Sequence, residues 1–213
     1  MTMRRLNPVW FCAIAVCFLA PAGCDRPADE LTAPTVPVSP IVVAARGQVG
    51  KTVIYDPSYV RLAYPGGDVP IERGVCTDVV IRALRDALDI DLQKLLHEDM
   101  RAAFSEYPSR WGLRKPDRNI DHRRVPNLRR YFERKNYSLG VSRNKQDYLP
   151  GDLVTCDVSG RDHIMIVSDR KTGGGVPLVI HNGGRGAREE GCLFDFRITG
   201  HYRIGKSLKE RKQ

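Results

Sequence analysis

The strongest constraint on the fold is a change of hydrophobic period at Pro150-Gly151. Before it, apolar residues recur at helical spacing. After it, they come in short runs separated by turn residues. Val75 to Leu88 sets Cys76, Val79, Val80, Ala83 and Ala87 along one stripe, widened by Leu84 and Leu88, with Arg82, Arg85 and Asp86 facing away. Asp91 to Tyr107 repeats the pattern with Leu92, Leu95, Leu96, Met100, Ala103 and Phe104 inward. Pro108 to Val125 is polar and rich in turn residues, which predicts a long ordered loop. Pro126 suits the first position of a third helix ending near Lys135. Beyond Gly151, the runs Leu153 to Val158, His163 to Ser168 and Leu178 to His181 read as strands, followed by Ile198 to Ile204. Helices first and antiparallel strands afterwards predict an α+β domain.

The N-terminus carries a separate message. Met1 to Pro8 is basic through Arg4 and Arg5, and Val9 to Ala20 is apolar. That run is shorter than the roughly 20 residues a membrane-spanning helix needs. A basic start, a short apolar core and small residues after it describe an export signal over residues 1–23. Ala22-Gly23-Cys24 resembles the end of a bacterial lipobox, which predicts acylation of Cys24 and a lipoprotein held on the extracytoplasmic, periplasmic face of a membrane. Pro21 stands where that pattern has an aliphatic residue, and Ala20-Pro21-Ala22 is itself a site for ordinary cleavage, which would yield a soluble secreted or periplasmic protein. Residues 24–45 contain Pro27, Pro34, Pro37 and Pro40 without apolar periodicity and read as a semi-rigid tether. Residues 46–205 form the expected domain, and 206–213 a basic tail.

The formal charge is +9; Arg4 and Arg5 belong to the signal, leaving +7 on the mature chain. Such a surface favours anionic neighbours such as lipid headgroups or cell-wall polymers, and export argues against nucleic acid. Of six cysteines, Cys12 and Cys17 leave with the signal and Cys24 takes the lipid. Cys76, Cys156 and Cys192 remain, an odd number in an oxidising compartment. Pairing of Cys156 with Cys192 would leave Cys76 free. No cysteine pair or Cys/His cluster has the spacing of a structural zinc site, and neither metal nor cofactor is expected.

Cys76 follows Gly74 at a helix start, where partial positive charge and unpaired N–H groups stabilise a thiolate and an oxyanion. This predicts a depressed thiol pKa, with the charge of Asp78 working against it unless that residue caps the helix. His163 opens one strand and His181 closes the next. If those strands pair, alternation sets His163, Met165 and Val167 on one face, and Val179 and His181 on one face. A helix-start thiol, an imidazole base and a second imidazole to orient it make a nucleophile–base arrangement.

The same residues resemble a known family. A helix-start Cys, then Pro150-Gly151-Asp152-Leu153-Val154, a strand His and His181-Asn182 are similar to the NlpC/P60 superfamily of papain-like cell-wall hydrolases. Arg73 to Asp78, Trp111-Gly112-Leu113, Asn119 to Leu128 and Ile180-His181-Asn182 more closely resemble a bacterial domain-of-unknown-function family, number 1287, over about Ala45 to Arg203. The resemblance implies a small antiparallel sheet packed against the Cys-bearing helix, with Cys76 as nucleophile, His163 as base and His181 as its orienter. It implies a Tyr that assists the oxyanion, Tyr55 or Tyr64, and a substrate in the peptide part of peptidoglycan, cut by amidase or endopeptidase chemistry. Asp78, His122, Arg123 and Asn182 complete the candidate binding residues, His122 with its neighbouring arginines as a carboxylate site. An acyltransferase on the same thiol and a non-catalytic lipoprotein that binds wall or a wall enzyme are the alternatives. Nothing in the sequence specifies an oligomeric state.

Overall fold

The computed structural model describes residues 38–205. The export signal, Cys24, most of the tether and the basic tail lie outside the described residues. The end of the expected tether is corrected. Pro40–Arg46 is helix α1, and Ile41, Val42 and Ala45 are buried in the core, so the packed domain begins before residue 46. Pro40 at the first helical position supplies a ready-made φ. Seven residues are too few to hold a helix alone; packing against the next helix stabilises it.

Helix α2 is Cys76–Leu88 and α3 is Leu92–Ala102, close to expectation. Asp91 caps α3 by accepting the Lys94 N–H. The second helix ends earlier than its pattern suggests, passing into a 3-10 turn at Phe104–Glu106. A second such turn, Asp121–Arg123, lies inside the expected loop and leads into α4, Val125–Arg134. Two short strands, β1 (Ile54–Tyr55) and β2 (Arg73–Gly74), pair in parallel.

The main sheet has six antiparallel strands: β3 (Ser138–Leu139), β4 (Leu153–Val158), β5 (Arg161–Lys171), β6 (Pro177–Asn182), β7 (Ala187–Glu190) and β8 (Arg197–Tyr202), in the order β3-β8-β4-β5-β6-β7. The fold is therefore α+β. Ser159 and Gly160 both have positive φ, as a two-residue hairpin turn requires, and this turn sets Cys156 opposite His163. Alternation sorts the sheet into two faces. Leu153, Ile164, Ile166 and Ile180 join α1, α2 and α4 in the larger core. Val154, Cys156, Met165, Val167 and Val179 pack on the other side with Leu193 and Phe194. Each fully buried Ile or Leu contributes about 1.5–3 kcal/mol, so a one-residue slip of β5 would cost several such terms at once.

Candidate active site

Four elements meet at the start of α2. Tyr55 lies in register with Gly74 across the β1–β2 pair. The Asn182 side-chain amide, at the end of β6, donates to the Gly74 carbonyl at 2.9 Å. The backbone N–H groups of Ile164, Thr77 and Cys76 itself lie near the Cys76 sulfur and act to lower its pKa. The helix start is thus held one residue from His163 on β5 and one residue from His181 on β6.

The two imidazoles bond directly: His163 Nε2 lies 2.8 Å from His181 Nδ1, with the rings edge to face. The register explains why. Ile166 pairs with Ile180 and Val167 with Val179, so His163 and His181 are diagonal neighbours of matching parity near the same end of the sheet. Burial, then the His181 ring, pushes His163 down to about 3. Burial also lowers His181, against the pull of Glu190. Both rings are neutral at pH 7, so one donates its single N–H to the other.

The thiol departs from expectation. Its three backbone donors draw the Cys76 pKa down, but burial outweighs them, and with the Asp78 carboxylate nearby the value rises to about 11. Cys76 is 5% exposed and belongs to the helix-side core. The hydrogen bonds that the two rings make among the described residues do not include its sulfur. The sulfur they do reach is that of Cys192, 3.5 Å from His181 Nε2. That thiol is half-buried and pushed up to about 11 by burial and the carboxylates of Glu190 and Asp195. All three described cysteines are free thiols, so Cys156 and Cys192 are not bridged.

Beside the rings opens a cleft of about 580 Å³, lined by Tyr55, Arg161, His163, His181, Arg188 and Cys192 among others. Asn182 belongs to its wall, but its amide is committed to Gly74 and its carbonyl accepts the Gly184 N–H. Of the two tyrosines, Tyr55 lines the cleft, whereas Tyr64 stacks edge-on against His97 beneath Arg118. Asp78, His122 and Arg123 are corrections: none of them lines the cleft. Asp78 and Arg123 form an ion pair with both side chains buried, and Asp78 also caps the Val75 N–H. His122 is 2% exposed. They build the wall behind the helix start and have no open side for a substrate. Trp111 packs beneath the Arg124 guanidinium. His201 is buried against Asp152.

Sequence reasoning missed Arg161, Arg185, Arg188, Glu190 and Cys192 as cleft residues. The available signal was the run Asn182-Gly183-Gly184-Arg185-Gly186, a turn that folds the next strand back beside His181. At Gly186, φ is +82° and a Cβ would lie 2.7 Å from the Thr52 carbonyl oxygen, so the position needs glycine.

Two buried rings make stability pH-dependent. His122, desolvated and beside Arg123, is lowered to about 4, and His163 to about 3. The unfolded chain takes up these protons near pH 6.5, while the folded protein resists until those lower values. Stability is therefore full above pH 6.5 and falls as the solution is acidified towards pH 4 and then 3. At pH 5 the expected loss is on the order of 2 kcal/mol per ring. Urea midpoints at pH 7 and pH 5 measure it, and His122→Gln should flatten the dependence. A midpoint that does not move with pH would contradict the assignment of neutral buried rings.

A model of the family described as a domain of unknown function (DUF1287) matches residues 42–204. The chain is also 57% identical over 164 residues to the "Uncharacterized protein YijF" of Escherichia coli (strain K12), covering 76% of this chain and 80% of that one.

Proposed function

The chain belongs to the DUF1287 family, and from its site geometry we propose that it is a cysteine hydrolase of amide bonds in the peptide part of cell-wall peptidoglycan, with a papain-like, NlpC/P60-type site. One observation carries the reading. The His163–His181 pair lies at an open cleft, and each ring is one residue from a contact that pins the Cys76 helix start: the Ile164 N–H on the sulfur and the Asn182 amide on the Gly74 carbonyl.

In this reading the resting site is neutral. This reading requires the His163 ring, which does not bond the sulfur in the resting site, to come within reach of it on substrate binding. The ring then takes the Cys76 thiol proton as the sulfur bonds to the carbonyl carbon, and His181 keeps the base in orientation. The N–H groups gathered round the sulfur stabilise the tetrahedral oxyanion. His163 returns the proton to the departing amine, leaving a thioester. Water, deprotonated by the same ring, then releases a carboxylic acid and the free thiol. The arginines of the cleft suit the carboxylates of stem peptides. Both thiols are pushed up to about 11, by burial first and then by nearby carboxylates; Cys76 is taken as the nucleophile because three backbone donors act on its sulfur, against one on Cys192. An export signal and a lipid on Cys24 place such an enzyme beside its substrate.

The test is incubation of purified sacculi with the full chain, followed by mass spectrometry of released peptides. Products with a new amine and a new carboxylate identify the bond. An acyltransferase would transfer the acyl group to an added amine, and a binding module would release nothing. Tyr55 supports the oxyanion in this reading. Tyr55→Phe should lower turnover by about 100-fold at nearly constant KM, while Tyr64→Phe should leave it within about twofold. Equal effects of the two would remove Tyr55 from the mechanism.

A further inference from the structure

The far side of His181 carries a second constellation. Its Nε2 atom lies 3.4 Å from Glu190 Oε2 and 3.5 Å from Cys192 Sγ, and one ligand atom from each of the three falls within 4.8 Å of the others. These separations have a specific meaning. A tetrahedral zinc ion has Zn–N and Zn–O bonds of about 2.0–2.1 Å and Zn–S of about 2.3 Å. Nitrogen–oxygen edges are then about 3.3 Å and nitrogen–sulfur edges about 3.5 Å.

We propose that His181, Glu190 and Cys192 form a zinc-binding site, with three protein ligands and a fourth position open to the cleft. Local structure supports each ligand. Glu190 pairs with Val179 and Arg188 with His181 across the β6–β7 ladder, so Glu190 is a diagonal neighbour of His181 with matching parity. Cys192 follows after the single residue Gly191. The second shell is in place as well. His181 Nδ1 is held by His163 Nε2, the outer hydrogen bond that fixes the orientation of a ligating imidazole. The Glu190 Oε1 atom lies 3.7 Å from Arg185 and 3.9 Å from Arg188, which leaves Oε2 turned to His181. Binding exchanges the Cys192 S–H for an S–Zn bond and releases the proton to solvent. A thiolate, a carboxylate and a neutral imidazole then balance the charge of the dication. Sequence spacing hides the site because its ligands come from two strands and the loop that follows the second. A three-ligand site with an open position has the form of a catalytic or inhibitory zinc site, whereas structural sites use four protein ligands.

The experiment is zinc titration of the full-length chain by calorimetry, with metal content measured after dialysis against zinc chloride. Cobalt substitution provides the spectroscopic signature of a thiolate ligand. Wild type should bind one zinc tightly and show sulfur-to-cobalt charge transfer. Cys192→Ala should abolish the band and weaken zinc binding by at least about 100-fold. Glu190→Gln, a substitution at a half-buried position that keeps side-chain volume, should weaken binding while retaining the band. His163→Ala should cost about 10–100-fold through the lost outer hydrogen bond. Zinc binding that persists unchanged in both ligand variants, cobalt without a thiolate band, or failure of wild type to bind would each overturn the site. Cys76→Ala should keep full zinc affinity, so loss of hydrolysis and loss of metal are separate results.

Discussion

Cys76→Ala should reduce peptide release from sacculi by at least about 1,000-fold, with the fold intact by circular dichroism. The substitution removes one sulfur atom from a large core that also includes Val79, Val80, Ile164 and Ile180. Its structural cost is therefore small beside its chemical effect. His163→Ala should fall by a comparable factor, because it removes the ring that this reading assigns to accept the thiol proton as the sulfur attacks. Residues that act as one unit do not add, so the double variant should be little worse than either single one. Cys192→Ala is the control. It occupies the opposite side of His181 and should retain activity within about tenfold. The reverse result, activity lost with Cys192 and kept without Cys76, would move the nucleophile to the thiol that already contacts His181. Activity indifferent to both thiols would end the cysteine-hydrolase reading.

Breaking the Asp78–Arg123 pair should be the most destabilising polar substitution at this site. Arg123 Nε donates to Asp78 Oδ1 at 3.0 Å and Nη2 to Oδ2 at 3.0 Å, with side-chain exposures of 2% and 3%. The same guanidinium donates to the carbonyls of Ser58 and Asp56, just beyond Tyr55. Asp78 accepts the Val75 N–H at 2.6 Å. One pair therefore ties the β1 loop, the start of α2 and the turn at Asp121–Arg123 together. Removing either partner leaves a buried charge uncompensated, at a cost of about 3–5 kcal/mol. For a domain of this size that is a fall in Tm of about 10–15 °C. Arg123→Lys should recover little, since an ammonium cannot reproduce the fork. The solvent-accessible Arg130–Glu106 pair gives the contrast: Glu106→Ala should cost below about 1 kcal/mol. Thermal melts of the variants decide the matter, and a buried-pair cost no larger than the surface one would show that water reaches Asp78.

Much of the architecture was legible because it is written in short-range periodicity. The stripe on α2 predicts the helix to within a residue, and the expected Leu153–Val158 strand is the observed β4. The neighbourhood of His163 and His181 follows once those strands are paired, since side-chain direction alternates with fixed period. Helix α1 escaped notice for the opposite reason. Pro40-Ile41-Val42-Val43-Ala44-Ala45-Arg46 is too short and too evenly apolar to display a face until α2 covers one.

The sequence by itself determined the α+β class, the helix-start cysteine and the two strand histidines, because each depends on residues within a few positions of one another. Only the tertiary structure decided that Tyr55 and not Tyr64 lines the cleft, that Asp78 and Arg123 are buried partners, and that Glu190 and Cys192 meet His181. It also decided the state of the Cys76 thiol. The helix terminus is a local feature and lowers the pKa, but desolvation sums over every atom packed round the sulfur, and that sum is set only when the helix is seated on the sheet.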